Sequence, residues 1–206
     1  MKNFLRAASY VALLTLSMNA HSASKPILVL GDSLSAEYGL THGSGWVALL
    51  EENIQAQYND VTIVNASISG ETTSGGRSRL PALLKKHQPK IVVIELGAND
   101  ALRGLSLTAT RANLQAMIDS AKENRAKVLL IGMQIPPNYG TAYTQQFANL
   151  YPKLTKQSKV ALVPFMLEGV VGNPDYFQSD RIHPTAEAQP QILQNIWPHL
   201  KPLLQK

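Results

Sequence analysis

The residues Gly31-Asp32-Ser33-Leu34-Ser35 follow the apolar run 27–30 and put a serine just beyond a candidate strand. Ligands of α/β proteins gather in the crevice beyond the C-terminal strand ends, so a serine there is placed to act as a nucleophile. Alone, the stretch equally describes a turn that caps a helix. Acyl transfer by a serine also needs a base, a group that orients the base, and donors for the oxyanion. Of the five histidines, His21 belongs to the N-terminal segment. His87 follows Lys85-Lys86 at a helix end, His199 sits in the last helical stretch, and His42 lies in a glycine-rich loop without a local partner. His183 stands in Asp180-Arg181-Ile182-His183-Pro184. An acid three residues ahead in a tight turn can accept from one ring nitrogen and leave the other to face the serine. Taken alone, this stretch is equally an Asp turn before a helix starting at Pro184 or Thr185. Beside Ser33 it reads as base and orienter.

Three polar groups are candidate oxyanion donors: the Ser33 N–H, Gly70 beyond the second apolar run, and Asn99 in Gly97-Ala98-Asn99-Asp100 beyond the third. A glycine allows close backbone approach, and an amide donates at any working pH. Singly, Gly70 is a plain turn glycine and Asn99 a helix cap or Asx-turn. Together they point to one crevice.

The elements that must position these residues follow from hydropathy. Runs at 27–30, 61–64, 91–96, 128–131 and 160–163 are continuous and rich in Val and Ile, as strands buried on both faces are. Segments of helical period separate them, the one before the fourth run entered through Thr108. The alternation predicts an α/β fold, a parallel sheet with helices on both faces. The irregular stretches 134–141 and 168–180 become loops at the ligand edge. Leu102, Leu105 and Leu107, then Ile135 and Tyr139, then Met166, Leu167, Val170 and Val171 leave that edge and can line an acyl groove; the alternative is that they anchor their loops to the core.

Residues 1–22 have the pattern of a secretory signal peptide: basic Lys2 and Arg6, an apolar stretch, and Ala20-His21-Ser22 at the cleavage site. Residues 23–206 are expected to form one domain. No cysteine occurs, so neither a lipid-bearing cysteine nor a disulfide is available. Without Lys2 and Arg6 the formal charge falls from +5 to +3, and the scattered basic residues argue against nucleic acid. Gly70–Arg77 imitates a phosphate loop but lacks its Lys-Ser/Thr pair, Gly43-Ser44-Gly45 is too short for a dinucleotide fingerprint, and no Gly-x-Ser-x-Gly elbow occurs. A non-enzymatic periplasmic binding protein would explain fold and export, but not Asp180 and His183 set with Ser33. No metal-ligand spacing is present, and no cofactor is expected.

The Gly31–Ser35, Gly70, Gly97–Asp100 and Asp180–Pro184 blocks, with Leu102-Arg103-Gly104 and Pro137-Asn138-Tyr139-Gly140, resemble the GDSL, or SGNH, hydrolases over nearly the whole segment 23–206. The likeness is nearest to the secreted bacterial thioesterase I, lysophospholipase L1 and arylesterase group. It implies a three-layer, flavodoxin-like fold with a five-stranded parallel sheet. It also implies Ser33 as nucleophile, His183 as base, Asp180 as orienter, and the Ser33 amide, Gly70 and Asn99 as oxyanion hole. Implied substrates are carboxylic (aryl and lysophospholipid) esters and acyl thioesters, hydrolysed by a monomer in the periplasm or outside the cell with no stable membrane anchor. Glu37 departs from the small residue expected there; it makes the rim near Ser33 more acidic and counts against anionic substrates.

Overall fold

A continuous run of Val, Ile and Leu is stable as a strand only where both its faces are covered. In the computed structural model, which describes residues 25–205, the central strands satisfy this condition. The strands are β1 (Lys25–Gly31), β2 (Val61–Asn65), β3 (Ile91–Glu95), β4 (Lys127–Ile131) and β5 (Ala161–Val163). They form one parallel sheet in the order β2-β1-β3-β4-β5. Ile27 to Leu30, Val92 to Ile94, and Leu129 and Leu130 are fully buried. The outer strands differ from the sequence expectation. Thr62 is exposed, Ile63 and Val64 are half-buried, and Val160 lies outside a three-residue β5. Each has a neighbouring strand on one side only, so an apolar run there does not mean full burial.

Helices cover both faces. α1 (Trp46–Gln55) and α7 (Gln189–Leu204) pack together on one side, while α2 (Thr73–His87), α4 (Leu107–Glu123) and α6 (Leu150–Ser158) pack on the other. α3 (Ala98–Leu102) is a short turn after β3, and α5 (Thr141–Ala148) runs almost directly into α6. Pro152 has no N–H to offer the Ala148 carbonyl, which breaks the hydrogen-bond ladder between the two helices. α4 is capped by Ser106, whose hydroxyl accepts from the Ala109 N–H, and not entered through Thr108. At the start of α7, a 3-10 turn (Ala186–Ala188) precedes the helix, and Gln189 Oε1 accepts from the Trp46 N–H at 3.0 Å. That bond joins the N-termini of α1 and α7.

The order β2-β1-β3-β4-β5 reverses direction between β1 and β3, and this topological switch point is where ligands of such sheets bind. Among the described residues no helix is long and apolar enough to cross a membrane. The segment read as a signal peptide lies outside the described residues.

Gly132 fixes the path of the chain as it leaves β4. Its N–H donates to Val163 O at 2.8 Å, and an added Cβ would stand 2.3 Å from the Pro164 carbonyl oxygen. Backbone cannot yield as a flexible side chain does. Gly132→Ala is therefore expected to destabilise the fold by about 1–3 kcal/mol. Urea unfolding checks this; an unchanged midpoint would show that the β4–β5 edge is slack.

Candidate active site

Ser33 sits in a tight turn directly after β1. The Ala36 N–H donates to Asp32 O at 2.9 Å, and the Leu34 N–H donates to Asp32 Oδ1 at 3.0 Å. His183 arrives from the loop between β5 and α7. That loop is closed on itself: the Gln178 N–H donates to His183 O at 2.8 Å, and the Thr185 N–H to Tyr176 O at 2.9 Å. Inside it Arg181 takes a left-handed backbone, φ 57°, which turns Asp180 back under His183. Asp180 Oδ1 accepts from the Ile182 and His183 N–H groups at 2.9 and 3.0 Å, and its Oδ2 lies 2.7 Å from His183 Nδ1. His183 Nε2 lies 2.9 Å from Ser33 Oγ. The Tyr38 ring rests 4.3 Å from the His183 ring. Desolvation raises the Asp180 pKa, but the His183 N–H, the His183 ring and the Ile182 N–H outweigh it and hold the carboxyl at about 2. Asp180 is thus ionised wherever a histidine could act as base.

Of the expected oxyanion donors, Ser33 and Asn99 border one cavity, and Gly70 is not among its lining residues. Gly70 has φ 78°, a conformation that favours glycine, and its carbonyl accepts from Arg103 Nη2 at 2.9 Å. Asn99 lies within α3, so it is neither a cap nor an Asx-turn. Its Nδ2 donates to Asp32 Oδ2 at 3.0 Å and to Glu71 O at 3.1 Å, which orients the amide. Asp100 accepts from the Thr73 N–H and from the Thr73 and Thr110 hydroxyls, tying α3 to α2 and α4.

Beneath Ser33 lies a pair of buried acids that sequence reasoning passed over. Glu95 ends β3 and is 2% exposed; its Oε2 accepts from Ser35 Oγ at 2.7 Å and from the Asp32 N–H at 3.2 Å. Burial raises Asp32 to about 6, against the pull of the Leu34 N–H, His183, Asn99 and Glu95. Burial and the Asp32 charge push Glu95 well above the ordinary carboxyl range. The available signal was a lone acid in the otherwise apolar stretch 91–96, since unpaired charge is seldom buried.

A cavity of about 490 Å³ opens beside Ser33 and His183. Leu102, Ile135, Phe165, Leu167, Val171 and Phe177 supply much of its apolar wall. Of the residues expected to line a groove, Leu102, Ile135, Leu167 and Val171 do so. Leu105 and Tyr139 are exposed outside it, Leu107 packs against the core, and Met166 and Val170 are fully buried. Phe165 and Phe177 were missed because neither belongs to a periodic segment. Glu37 also differs from expectation. Its carboxylate accepts from the Gly43 and Gly45 N–H groups and contacts His42 Nδ1, so it closes its own loop and is not a cavity wall. His42 accordingly has a local partner.

The buried acids make stability depend on pH. Below the ordinary glutamate pKa of about 4.3, Glu95 is protonated in folded and unfolded chains alike, and its ionisation costs nothing. Above it, the unfolded chain releases the proton and the folded chain keeps it, so this contribution to stability falls as pH rises. Glu95→Gln removes the titration. Its unfolding free energy relative to wild type should climb between pH 5 and 8, by up to about 1.4 kcal/mol per pH unit. Denaturant titrations across that range test this; a pH-independent difference would mean that Glu95 ionises normally in the fold.

Comparison with known proteins shows the family and the fold. Residues 29–189 match the model of the GDSL-like lipase/acylhydrolase family. The chain is 50% identical over 194 residues to the esterase TesA of Pseudomonas aeruginosa, covering 94% of this chain and 96% of that protein. It is 42% identical over 195 residues to the thioesterase 1/protease 1/lysophospholipase L1 of Escherichia coli K12, covering 95% and 92%. A crystal structure of TesA superposes with a TM-score of 0.85 at 51% identity, covering 87% of this chain and 99% of that one. On fold, site architecture and kinship, the chain belongs to the GDSL-like lipase/acylhydrolase family.

Proposed function

We propose that the chain is a serine hydrolase of carboxylic esters, aryl and lysophospholipid esters among them, and of acyl thioesters. The observation that carries this reading is the unbroken line from Asp180 Oδ2 through His183 to Ser33 Oγ, with spans of 2.7 and 2.9 Å. Ser33 Oγ attacks the acyl carbonyl while His183 Nε2 takes its proton, and Asp180 stabilises the imidazolium that forms. The carbonyl oxygen becomes an oxyanion held by the Ser33 and Gly70 N–H groups and the Asn99 amide. Neither of those N–H groups has an acceptor within the described residues, whereas Asn99 shares protons already given to Asp32 and Glu71. Collapse expels the alcohol or thiol, which leaves with the proton from His183. Water then attacks the acyl-serine with His183 again as base, releasing the acid and restoring Ser33. The names of the two relatives, an esterase and a thioesterase/lysophospholipase, support this range of leaving groups. The signal-peptide pattern of residues 1–22 supports action in the periplasm or outside the cell.

Ser33→Ala should cut turnover of p-nitrophenyl butyrate by about 10⁴-fold or more while leaving the circular dichroism and thermal midpoint near wild type. A folded Ser33→Ala enzyme with activity within tenfold of wild type would sink the assignment. Asn99→Ala should lower kcat by about 10²–10³-fold with little change in KM, because the amide faces charge that develops only in the transition state. A change confined to KM would mean that Asn99 holds ground-state substrate instead.

The apolar cavity beside Ser33 supports an acyl-chain site. Each substrate methylene buried there adds up to about 0.8 kcal/mol. Leu102→Ala should reduce kcat/KM several-fold on octanoyl and longer esters and barely touch acetyl esters. Leu105→Ala, outside the wall, should alter neither. Chain-length series for both variants check this, and equal losses on acetyl and long-chain esters in Leu102→Ala would point to loop packing in place of acyl contact.

A further inference from the structure

Glu95 has no part in the proton relay, yet it holds both flanks of the nucleophile. One carboxyl oxygen accepts from the Asp32 N–H and from Ser35 Oγ, on either side of Ser33. The arrangement is tight enough to require Gly31, where a Cβ would fall 2.7 Å from Glu95 Oε2 and 2.6 Å from Ser35 Oγ. Asp32 and Glu95 are neighbours in this buried turn, Glu95 Oε2 lying 3.2 Å from the Asp32 nitrogen, and each acts on the titration of the other. Carboxylates only accept, so two carboxyls bond each other only if one carries a proton. Among the described residues, none of the ion pairs found includes Asp32 or Glu95. The titratable groups that act on the pair are Tyr151 of α6 and His183 of the β5–α7 loop. The Tyr151 hydroxyl donates to Leu96 O at 3.2 Å, and Asp100 of α3 accepts from Thr73 and Thr110. The remaining link runs from Asp32 Oδ2 to the Asn99 amide.

We propose that Glu95 is a positioning residue: as a protonated carboxyl it donates to the Asp32 carboxylate, and through Asp32 it fixes the Asn99 amide beside Ser33. The proton also keeps a second negative charge from lying under the point where the oxyanion forms, where it would oppose catalysis. Asp32 keeps its charge and so accepts from Asn99 and Leu34 together. The proposal rests on the reading of Asn99 as an oxyanion donor.

Two measurements on the intact protein test it. Infrared difference spectra at pH 7 between wild type and Glu95→Gln should show the carbonyl stretch of a protonated carboxylic acid in wild type and its loss in the variant. Absence of that band in wild type, or its survival in Glu95→Gln, overturns the proposal. The second is a kinetic cycle with p-nitrophenyl butyrate. Glu95→Gln, which still accepts and donates, should keep kcat within about threefold of wild type, whereas Glu95→Leu, which does neither, should lose about tenfold or more in kcat with KM little changed. In an Asn99→Ala background Glu95→Leu should cost clearly less than it does in wild type; fully additive losses would show that Glu95 does not act through Asn99. Glu95→Met replaces Glu95→Leu if the latter does not fold. Failure of the oxyanion reading is distinguishable, because it appears as unchanged kcat in Asn99→Ala alone, with Glu95 intact.

Discussion

The contact between Ser33 Oγ and His183 Nε2 spans 2.9 Å in space and 150 residues in sequence. Neither partner can reach the other through local structure. Ser33 is delivered by β1, a central strand, and His183 by a loop that starts from the edge strand β5. Both lie on one edge because every strand is parallel, which sends every strand-to-helix loop to the same side. The loop that carries His183 is then set by short-range bonds of its own. Gln178 Nε2 donates to Tyr38 O at 2.8 Å and to Pro184 O at 3.1 Å, locking the β5–α7 loop to the turn that follows Ser33. The sheet thus supplies coarse placement, and a few side-chain to backbone bonds supply the final ångström.

The site also concentrates features that oppose stability. Asp32 and Glu95 are buried acids that belong to none of the ion pairs found among the described residues, a placement that costs free energy unless a proton or hydrogen bonds compensate. Among the described residues, five other than glycine have positive φ. Gln88 and Lys159 end helices α2 and α6, an ordinary use of left-handed backbone. Glu37 and Arg181 lie in the loops around Ser33, where each such residue costs on the order of 1–2 kcal/mol. Each is held by bonds from its own turn: the Glu37 carboxylate by Gly43 and Gly45, the Arg181 turn by Asp180 Oδ1 accepting from Ile182 and His183. Strain and buried acids at the edge that carries Ser33 and His183 are offset by the fully buried centre of the sheet.

The sequence discloses the residues whose role depends on chemical type and hides those whose role depends on packing. A serine beyond an apolar run, and an acid three residues before a histidine, are readable because the chemistry restricts which side chains can serve. The central strands are readable because burial on two faces demands unbroken apolar runs. The outer strands carry the same kind of run without the same burial, so 61–64 and 160–163 misstate how deeply β2 and β5 lie. The α4 cap was misplaced by two residues because Ser106 and Thr108 are both competent caps, and only the reach of the Ser106 hydroxyl to the Ala109 N–H decides between them. The cavity walls were half-legible: Leu102 and Ile135 face inward while Leu105 and Tyr139 do not, a matter of loop path that no periodicity encodes. Glu37 misled because its charge is visible in sequence, whereas the N–H groups that occupy it come from a loop folded back over it.

The most direct test of the account is active-site labelling with a p-nitrophenyl alkylphosphonate, read by intact mass and peptide mapping. The phosphonyl group forms a stable bond to an activated serine oxygen with release of p-nitrophenol, and its tetrahedral phosphorus imitates the acyl-transfer intermediate. The account predicts one adduct per chain, on Ser33, loss of ester hydrolysis in step with labelling, and loss of rapid labelling in His183→Ala. An adduct on another residue, or full labelling that leaves ester hydrolysis intact, would contradict the line from Asp180 through His183 to Ser33 as the origin of activity.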